Sequence, residues 1–350
     1  MLRGNDGMNH NRKNNNVSIS KTNGLFLLLV IVVIINLFLF SKIIRTTIPL
    51  AAYPKEKVKT EQQKAPAKSE PAHKKEPDKS QLKKGFQYSA VSTADINSGD
   101  LILVNADHKY IFSNTPTVVS PEELVSVYSH KTASYKVKDI NVQLNLSIID
   151  SLNKMMDEFK KATGNTSVMI VSAFRGEEEQ QTVLESKISQ YGEADGKQIA
   201  SQPGCSEHHS GYAFDFTLLN DKGKTAEYDG TGDCKWIAEN CYKYGFILRY
   251  PDGKTDITGI KYEPWHFRYV GNPHAKYIFD HQLTLEEYIT LLKKYTYNGE
   301  SLSASDSDGQ NYEIYSVPVD AKDPKIVVPK DAEYTLSGNN IDGIIVTVKR

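Results

Sequence analysis

Cysteine is scarce in this chain: Cys205, Cys234 and Cys241 are the only three in 350 residues. An odd trio is too small for a disulfide framework, and no CxxC spacing is present to build a cysteine zinc site. Cys234 and Cys241 lie seven positions apart on an expected helix, about 10 Å along its axis and too far for a direct bond. Either could meet Cys205 in space. Net charge is also missing, since 42 Lys and Arg against 43 Asp and Glu leave −1. That balance removes the bulk electrostatic attraction on which nucleic-acid binding depends. Long hydrophobic runs are absent too, with one exception.

The exception is LFLLLVIVVIINLFLF (25–40), continued across Lys42 by Ile43 and Ile44. It approaches the roughly 20 apolar residues that span a bilayer, with Lys42 able to snorkel to the interface. The run is longer than the core of a signal peptide, and its best small-residue site, Leu50-Ala51-Ala52, lies well beyond it. Residues 24–44 are therefore expected to be an uncleaved signal anchor. Arg3, Arg12, Lys13 and Lys21 against Asp6 place residues 1–23 in the cytoplasm. Residues 45–85 follow as a stalk. The stretch 51–85 holds ten lysines, five acids and four prolines, and offers nothing to bury, so it stays extended. Its positive excess would suit an anionic wall or lipid head groups, although a solvated spacer is the better explanation.

From Phe86 onward, short apolar runs broken by turn residues suggest an α+β domain over residues 86–296. DLILVNADHKYIF (100–112) reads as two strands around a turn. Ile148, Ile149, Leu152, Met155, Met156 and Phe159 recur at helical spacing before Gly164, and a further helix is expected over 177–191. SVMIVSAF (167–174) and AFDFTLL (213–219) read as strands. Helices are expected again over 234–244 and 283–295, with strand composition around Pro264 between them. Beyond a polar gap at 301–309, four runs (YEIYSVPV, KIVVP, EYTL and GIIVTV) make residues 297–350 a small β-rich appendage.

The stretch SEHHSGYAFDF (206–216) sets a histidine doublet shortly before an aspartate. A zinc hydrolase needs three protein ligands, an open position for water, and a base. In AFDF, Asp215 alternates with Phe214 and Phe216, so its carboxylate points away from the face those rings bury. In EPWH, Glu263 lies three residues before His266. A regular strand would put them on opposite faces, so both can serve one site only if the chain bends, for which Pro264 gives a reason. His208, Asp215 and His266 with Glu263 thus make a two-histidine, one-carboxylate zinc site with a base. Paired histidines and acids also arise as satisfied surface hydrogen bonds.

The pattern Ser-x-His-x-x-Gly-x-Ala-x-Asp, met at Ser206, His208, Gly211, Ala213 and Asp215, resembles the VanY-type D-alanyl-D-alanine carboxypeptidases. EPWHFRYVG (263–271) matches their second motif, and SAFRGEEEQ (172–180) is similar to their arginine-bearing segment. The resemblance covers roughly residues 100–292. It implies a small mixed sheet flanked by helices, as in LAS and D,D-peptidases, and Zn2+ held by His208, Asp215 and His266. It implies Glu263 as general acid and base, and Arg175 directed at the scissile carbonyl or a substrate carboxylate. Ser206 and Gln180 would hydrogen-bond the peptide, or serve simply as turn and helix-start residues. Trp265 would wall the pocket, and Arg249 and Arg268 could be structural ion-pair partners. Relatives often carry glutamine where this chain has His209. The family motif places six residues between ligand histidine and aspartate, which selects His208 as ligand and leaves His209 beside the site, facing substrate.

The implied partners are the membrane and peptidoglycan stem peptides ending in D-Ala-D-Ala. An L,D-carboxypeptidase or a cross-bridge endopeptidase shares the chemistry and stays open. So does a non-catalytic wall-binding module with structural zinc, against which Glu263 argues.

Overall fold

Val168–Ser172 forms because its apolar, partly β-branched residues can pack on two sides, and in the computed structural model it lies inside a six-stranded sheet. The structure describes residues 82–112, 115–119 and 123–350. Among these, no helix is long and apolar enough to cross a membrane. The expected tail, the anchor over 24–44 and the stalk up to residue 81 lie outside the described residues.

Strands are numbered β1 (Phe86–Ala90), β2 (Leu124–Ser126), β3 (Lys136–Val137), β4 (Gln143–Asn145), β5 (Val168–Ser172), β6 (Ala213–Leu219), β7 (Thr225–Ala226), β8 (Phe246–Leu248) and β9 (His266–Tyr269). The central sheet runs β3-β5-β6-β9-β8, with β7 on β6; β3 and β5 are parallel and the other pairs antiparallel. Helix α1 (Leu146–Thr163) covers one face. Asn145 caps it by accepting from the Ser147 N–H, and Gly164 ends it at φ 74°. Its buried stripe is the one its spacing predicts, Ile148 through Phe159, and it packs on Phe214, Phe216 and Phe267 in the main core. Helix α2 (Glu177–Tyr191) follows β5, and α3 (Glu193–Ile199) turns back against it at Gly196, where a Cβ would meet the Ile188 backbone at 2.7 Å.

The C-terminal segment is β-rich, as expected, and holds β10 (Leu302–Ser305), β11 (Asn311–Pro318), β12 (Lys325–Pro329), β13 (Tyr334–Gly338) and β14 (Gly343–Lys349). Four of these make a second sheet, β10-β11-β14-β13, while β12 pairs antiparallel with β1. β10 falls in the polar gap at 301–309, where LSAS offers only Leu302 as a fully buried residue and so gives little signal. The segment also shares its core with the preceding residues. Ile314 and Ile345 join Leu101, Leu103, Ile247 and the buried side of α4 (Leu285–Leu292) in one cluster.

The two strands expected over 100–112 do not form. Leu101 to Val104 is buried, but its backbone groups are satisfied by irregular partners instead of a ladder. The Leu101 N–H donates to Ser337 Oγ (2.9 Å), the Leu103 N–H to the Asn339 carbonyl (3.3 Å), and Asn340 Nδ2 to the Leu103 carbonyl (2.8 Å). All three cysteines are buried free thiols. Burial pushes Cys234 up to about 11 and Cys241 up to about 12, which leaves them unreactive.

Candidate metal centre and active site

β6 and β9 are antiparallel neighbours in which Asp215 sits directly opposite His266. Directly opposed residues bring their Cβ atoms to about 5 Å, so one register choice delivers two candidate ligands to the same spot. Alternation does the rest: Phe214, Phe216 and Phe267 are buried in the core, and Asp215 and His266 emerge on the other face. His208 arrives from the 3-10 turn Glu207–Ser210 just before β6. Gly211 ends that turn at φ 70°, where a Cβ would lie 2.6 Å from Leu124 Cδ2, so the motif's glycine is required twice over.

The three side chains offer ligand atoms within 4.8 Å of one another. His208 Nδ1 donates to the Ala173 carbonyl (2.6 Å), which fixes the tautomer and leaves Nε2 as a lone pair 3.3 Å from Asp215 Oδ2. His266 Nδ1 lies 2.9 Å from Asp215 Oδ1. Its Nε2 points the other way, at Glu207 Oε2, 3.7 Å off; both atoms are buried without another partner. Two imidazoles and a carboxylate, with the His208 ring oriented by the Ala173 carbonyl, are a donor set that fits Zn2+. Burial drives the His208 ring down to about 4, so it is neutral and free to coordinate. Burial would raise the Asp215 carboxyl, but the two histidines beside it outweigh this and hold it well below the carboxylate range.

The bend expected between Glu263 and His266 is present. The His266 N–H donates to the Glu263 carbonyl (3.2 Å), closing a turn over Pro264 and Trp265, and the Glu263 N–H donates to the Tyr250 carbonyl (3.1 Å). Glu263 Oε2 thereby comes 3.7 Å from His266 Nδ1. Its burial pushes the carboxyl up to about 8, against the opposing pull of His266 and Arg175.

These groups line a cavity of about 150 Å³ together with Arg175, Ser206 and Trp265. Arg175 follows β5. Its N–H donates to the His208 carbonyl (3.2 Å), while its side-chain Nε is buried with no partner. Two residues expected to face substrate do not line the cavity. His209 is fully buried: Nε2 accepts from the Gly204 N–H (3.0 Å) and Nδ1 donates to the Arg175 carbonyl (2.7 Å), so both nitrogens are committed to holding the arginine segment. Gln180, also fully buried, donates through Nε2 to the Ser201 carbonyl (2.7 Å) and so supports a cavity wall from behind.

Sequence reasoning missed Glu207, the variable position of the first motif. It is fully buried, and its Oε1 accepts from Arg249 Nε (2.8 Å) and Arg268 Nη1 (2.9 Å). Burial opposes its ionisation, yet the two guanidinium groups hold it far below the carboxylate range. Arg249 in turn grips Glu286 bidentately, and Arg268 Nη2 donates to the Asp100 and Ile102 carbonyls. Both arginines are thus the ion-pair partners that their place in the motif segments allowed, and their partner is the acid behind His266. The clue was the presence of two arginines flanking a motif that carries one unassigned carboxylate. Tyr250, Lys187, Val183 and Ile260, which line the wall together with Ile199, Ala200 and Ser201, come from segments outside the two metal motifs.

Similarity to known proteins points to one family. Residues 141–272 match the family model described as VanY, D-alanyl-D-alanine carboxypeptidase, and that span contains His208, Asp215, Glu263 and His266. A D-alanyl-D-alanine carboxypeptidase of Enterococcus faecium is 34% identical over 266 residues, 75% of this chain and 79% of the relative. The bifunctional D-Ala-D-Ala dipeptidase and carboxypeptidase VanXYC of Enterococcus gallinarum is 40% identical over 139 residues, 39% of this chain and 73% of that protein. Among solved structures, the vancomycin-resistance D,D-dipeptidase VanXYg, in complex with a D-Ala-D-Ala phosphinate analog, is similar with a TM-score of 0.64 and 29% identity. It covers 76% of this chain and 99% of its own.

Proposed function

Because the chain belongs to the VanY family of D-alanyl-D-alanine carboxypeptidases, we propose that it is a zinc peptidase that removes the terminal D-alanine from peptidoglycan stem peptides. The observation that carries this reading is the convergence of His208, Asp215 and His266 with Glu263 and Arg175 on a single cavity. In this proposal, residues 24–44 anchor the enzyme and the lysine-rich stalk holds the domain on the wall side of the membrane, as the hydropathy and flanking charges of the sequence suggest.

Zinc bound to His208, Asp215 and His266 would supply Lewis acidity and lower the pKa of a coordinated water towards about 7. Glu263 accepts the proton of the attacking water and later delivers it to the leaving amine nitrogen. The unpaired Nε of Arg175 donates to the oxygen that gains charge as the carbonyl carbon becomes tetrahedral. Glu207, locked by Arg249 and Arg268, keeps the His266 ring turned towards the metal.

Mass analysis of products from muropeptides of defined length tests this. The expected result is chelator-sensitive loss of one D-alanine from pentapeptides. Cleavage of tetrapeptides alone would make it an L,D-enzyme, and opening of cross-bridges an endopeptidase.

A further inference from the structure

Three residues of the catalytic cavity, Ser201, Tyr250 and Ile260, also line a second cavity of about 260 Å³, so the two adjoin across a shared wall. The mechanism above uses none of the second cavity. Asn105, Lys109, Lys197, Gln202 and Cys205 are among the residues that surround it. Of its two cations, Lys197 is paired with Glu193 at 2.7 Å, whereas Lys109 has no carboxylate within salt-bridge distance among the described residues.

The backbone that carries Lys109 is held from two sides. The chain turns tightly over 105–108, where Asn105 Oδ1 accepts from the N–H groups of Asp107 (3.0 Å) and His108 (3.1 Å). The Tyr110 N–H then donates to the Gly204 carbonyl (2.8 Å), and the stem of Lys109 lies across Gly204, where a Cβ would stand 3.6 Å from Lys109 Cδ. From the other side comes Asn340, on the turn between β13 and β14. Its Nδ2 donates to the carbonyls of Leu103 (2.8 Å) and Lys109 (3.1 Å). The C-terminal sheet thus presses the lysine-bearing turn against the segment that leads into the first metal motif.

Substrate chemistry selects the occupant. A carboxypeptidase releases a single residue, so only the retained side of its substrate extends past the catalytic cavity, and the adjoining cavity continues that path. The retained side of a stem peptide carries a γ-linked glutamyl residue, upstream of the D-alanine at the scissile bond, whose α-carboxylate stands free. We propose that the second cavity receives the retained part of the stem peptide, with Lys109 binding this α-carboxylate and Asn340 positioning Lys109. This rests on the carboxypeptidase reading of the catalytic site. Lys109 is a specificity residue here, since it touches substrate away from the bond that breaks, and the C-terminal sheet gains a part in substrate choice.

The test uses two lysine-containing pentapeptides ending in D-Ala-D-Ala that differ in one group, γ-linked glutamate in the first and its α-amide, isoglutamine, in the second. D-Alanine release is measured with the wild-type protein and with Lys109→Met, Lys109→Glu and Asn340→Gly. Thermal melting checks that each variant folds, and glycine accepts the φ of 58° found at Asn340. Wild type is expected to have the higher kcat/KM on the glutamate peptide. Lys109→Met should shrink that preference about three- to tenfold, chiefly through KM, and Lys109→Glu should reverse it. Asn340→Gly should shrink it too, a shift in ratio that a loss of stability alone would not produce; an unchanged ratio there overturns its positioning role. Equal kcat/KM on the two peptides by wild type, or an unchanged ratio in folded Lys109→Met, overturns the assignment of Lys109 while leaving the carboxypeptidase reading intact. Failure of the wild type to cleave either peptide overturns both.

Discussion

The central sheet and the C-terminal sheet use their two faces differently. In β6 and β9 the faces are split: Phe214, Phe216 and Phe267 fill the core, and Asp215, His266 and Arg268 face the site and its supporting charges. In β14 apolar side chains enter the core from both faces, and Thr347 is the buried polar exception, hydrogen-bonded to His274. Ile345 enters one cluster, while Ile344, Val346 and Val348 enter another. The sequences carry this contrast openly, AFDF and HFRY alternating where IIV (344–346) is apolar at successive positions. A strand covered on both sides holds the fold together. A strand with one polar, buried face can carry chemistry, provided every charge on that face has a partner.

Substitutions in the two regions should therefore fail in different ways. The largest effect is expected at the metal. His208→Ala should abolish tight zinc binding and cut turnover by about a thousandfold or more. His209→Ala should keep zinc at wild-type stoichiometry, because that ring holds the Gly204 and Arg175 backbone instead. Metal analysis of the two purified variants separates them, and equal zinc loss in both would undo the distinction.

Next comes the polar support. Glu207→Gln leaves two buried arginines short of charge and should cost about 3–5 kcal/mol of stability. In protein that remains folded, it should also weaken zinc binding about 10–100-fold, measured by chelator competition. A stability loss with unaltered zinc affinity would reduce Glu207 to a purely structural role. In the other sheet, Ile345→Ala should cost about 2–5 kcal/mol through the cavity it leaves, yet change neither zinc affinity nor kcat at temperatures where the protein is folded. A drop in kcat there would show that the two regions are coupled.

The smallest effect is a pH dependence in the N-terminal segment that packs on the C-terminal sheet. Asp95 is buried, which would raise its pKa. However, it accepts from Ser92, the Thr117 hydroxyl and N–H, and the Val118 and Val119 N–H groups, and these hold it far below the ordinary value. Its contribution is complete above about pH 4 and declines as pH falls towards its folded value, because protonation then opposes folding. Melting temperature should drop on acidification below about pH 4, and Asp95→Asn should be less stable by about 1–3 kcal/mol at neutral pH with a flatter acid limb. An equally steep acid limb in the variant would assign the effect to other carboxylates.

Much of this was legible in the sequence because hydrophobic spacing sets local structure directly. The run 177–191 and the strand 213–219 emerge with their expected bounds, and the buried stripe of α1 is the one its residues spell out. The candidate ligands could be named because Asp215 and His266 fall opposite one another on β6 and β9 and His208 lies in the turn that leads into β6. Two kinds of feature were not. Leu101 to Val104 has strand composition, yet side-chain and loop groups outcompete a neighbouring strand for its backbone, a tertiary outcome that periodicity does not encode. The cavity walls at Tyr250, Lys187 and Ile260 come from separate segments whose meeting depends on the finished fold. His209 shows the converse limit, since adjacency to a ligand in sequence placed its ring behind the site instead of in it.

The account stands or falls on Glu263 as the proton-transferring group beside a zinc held by His208, Asp215 and His266. The most direct measurement is D-alanine release from a D-Ala-D-Ala pentapeptide by Glu263→Gln protein whose zinc content has been determined on the same sample. The account predicts one zinc per chain and release slowed by about 10²–10⁴-fold; release at the wild-type rate from the zinc-loaded variant would contradict it.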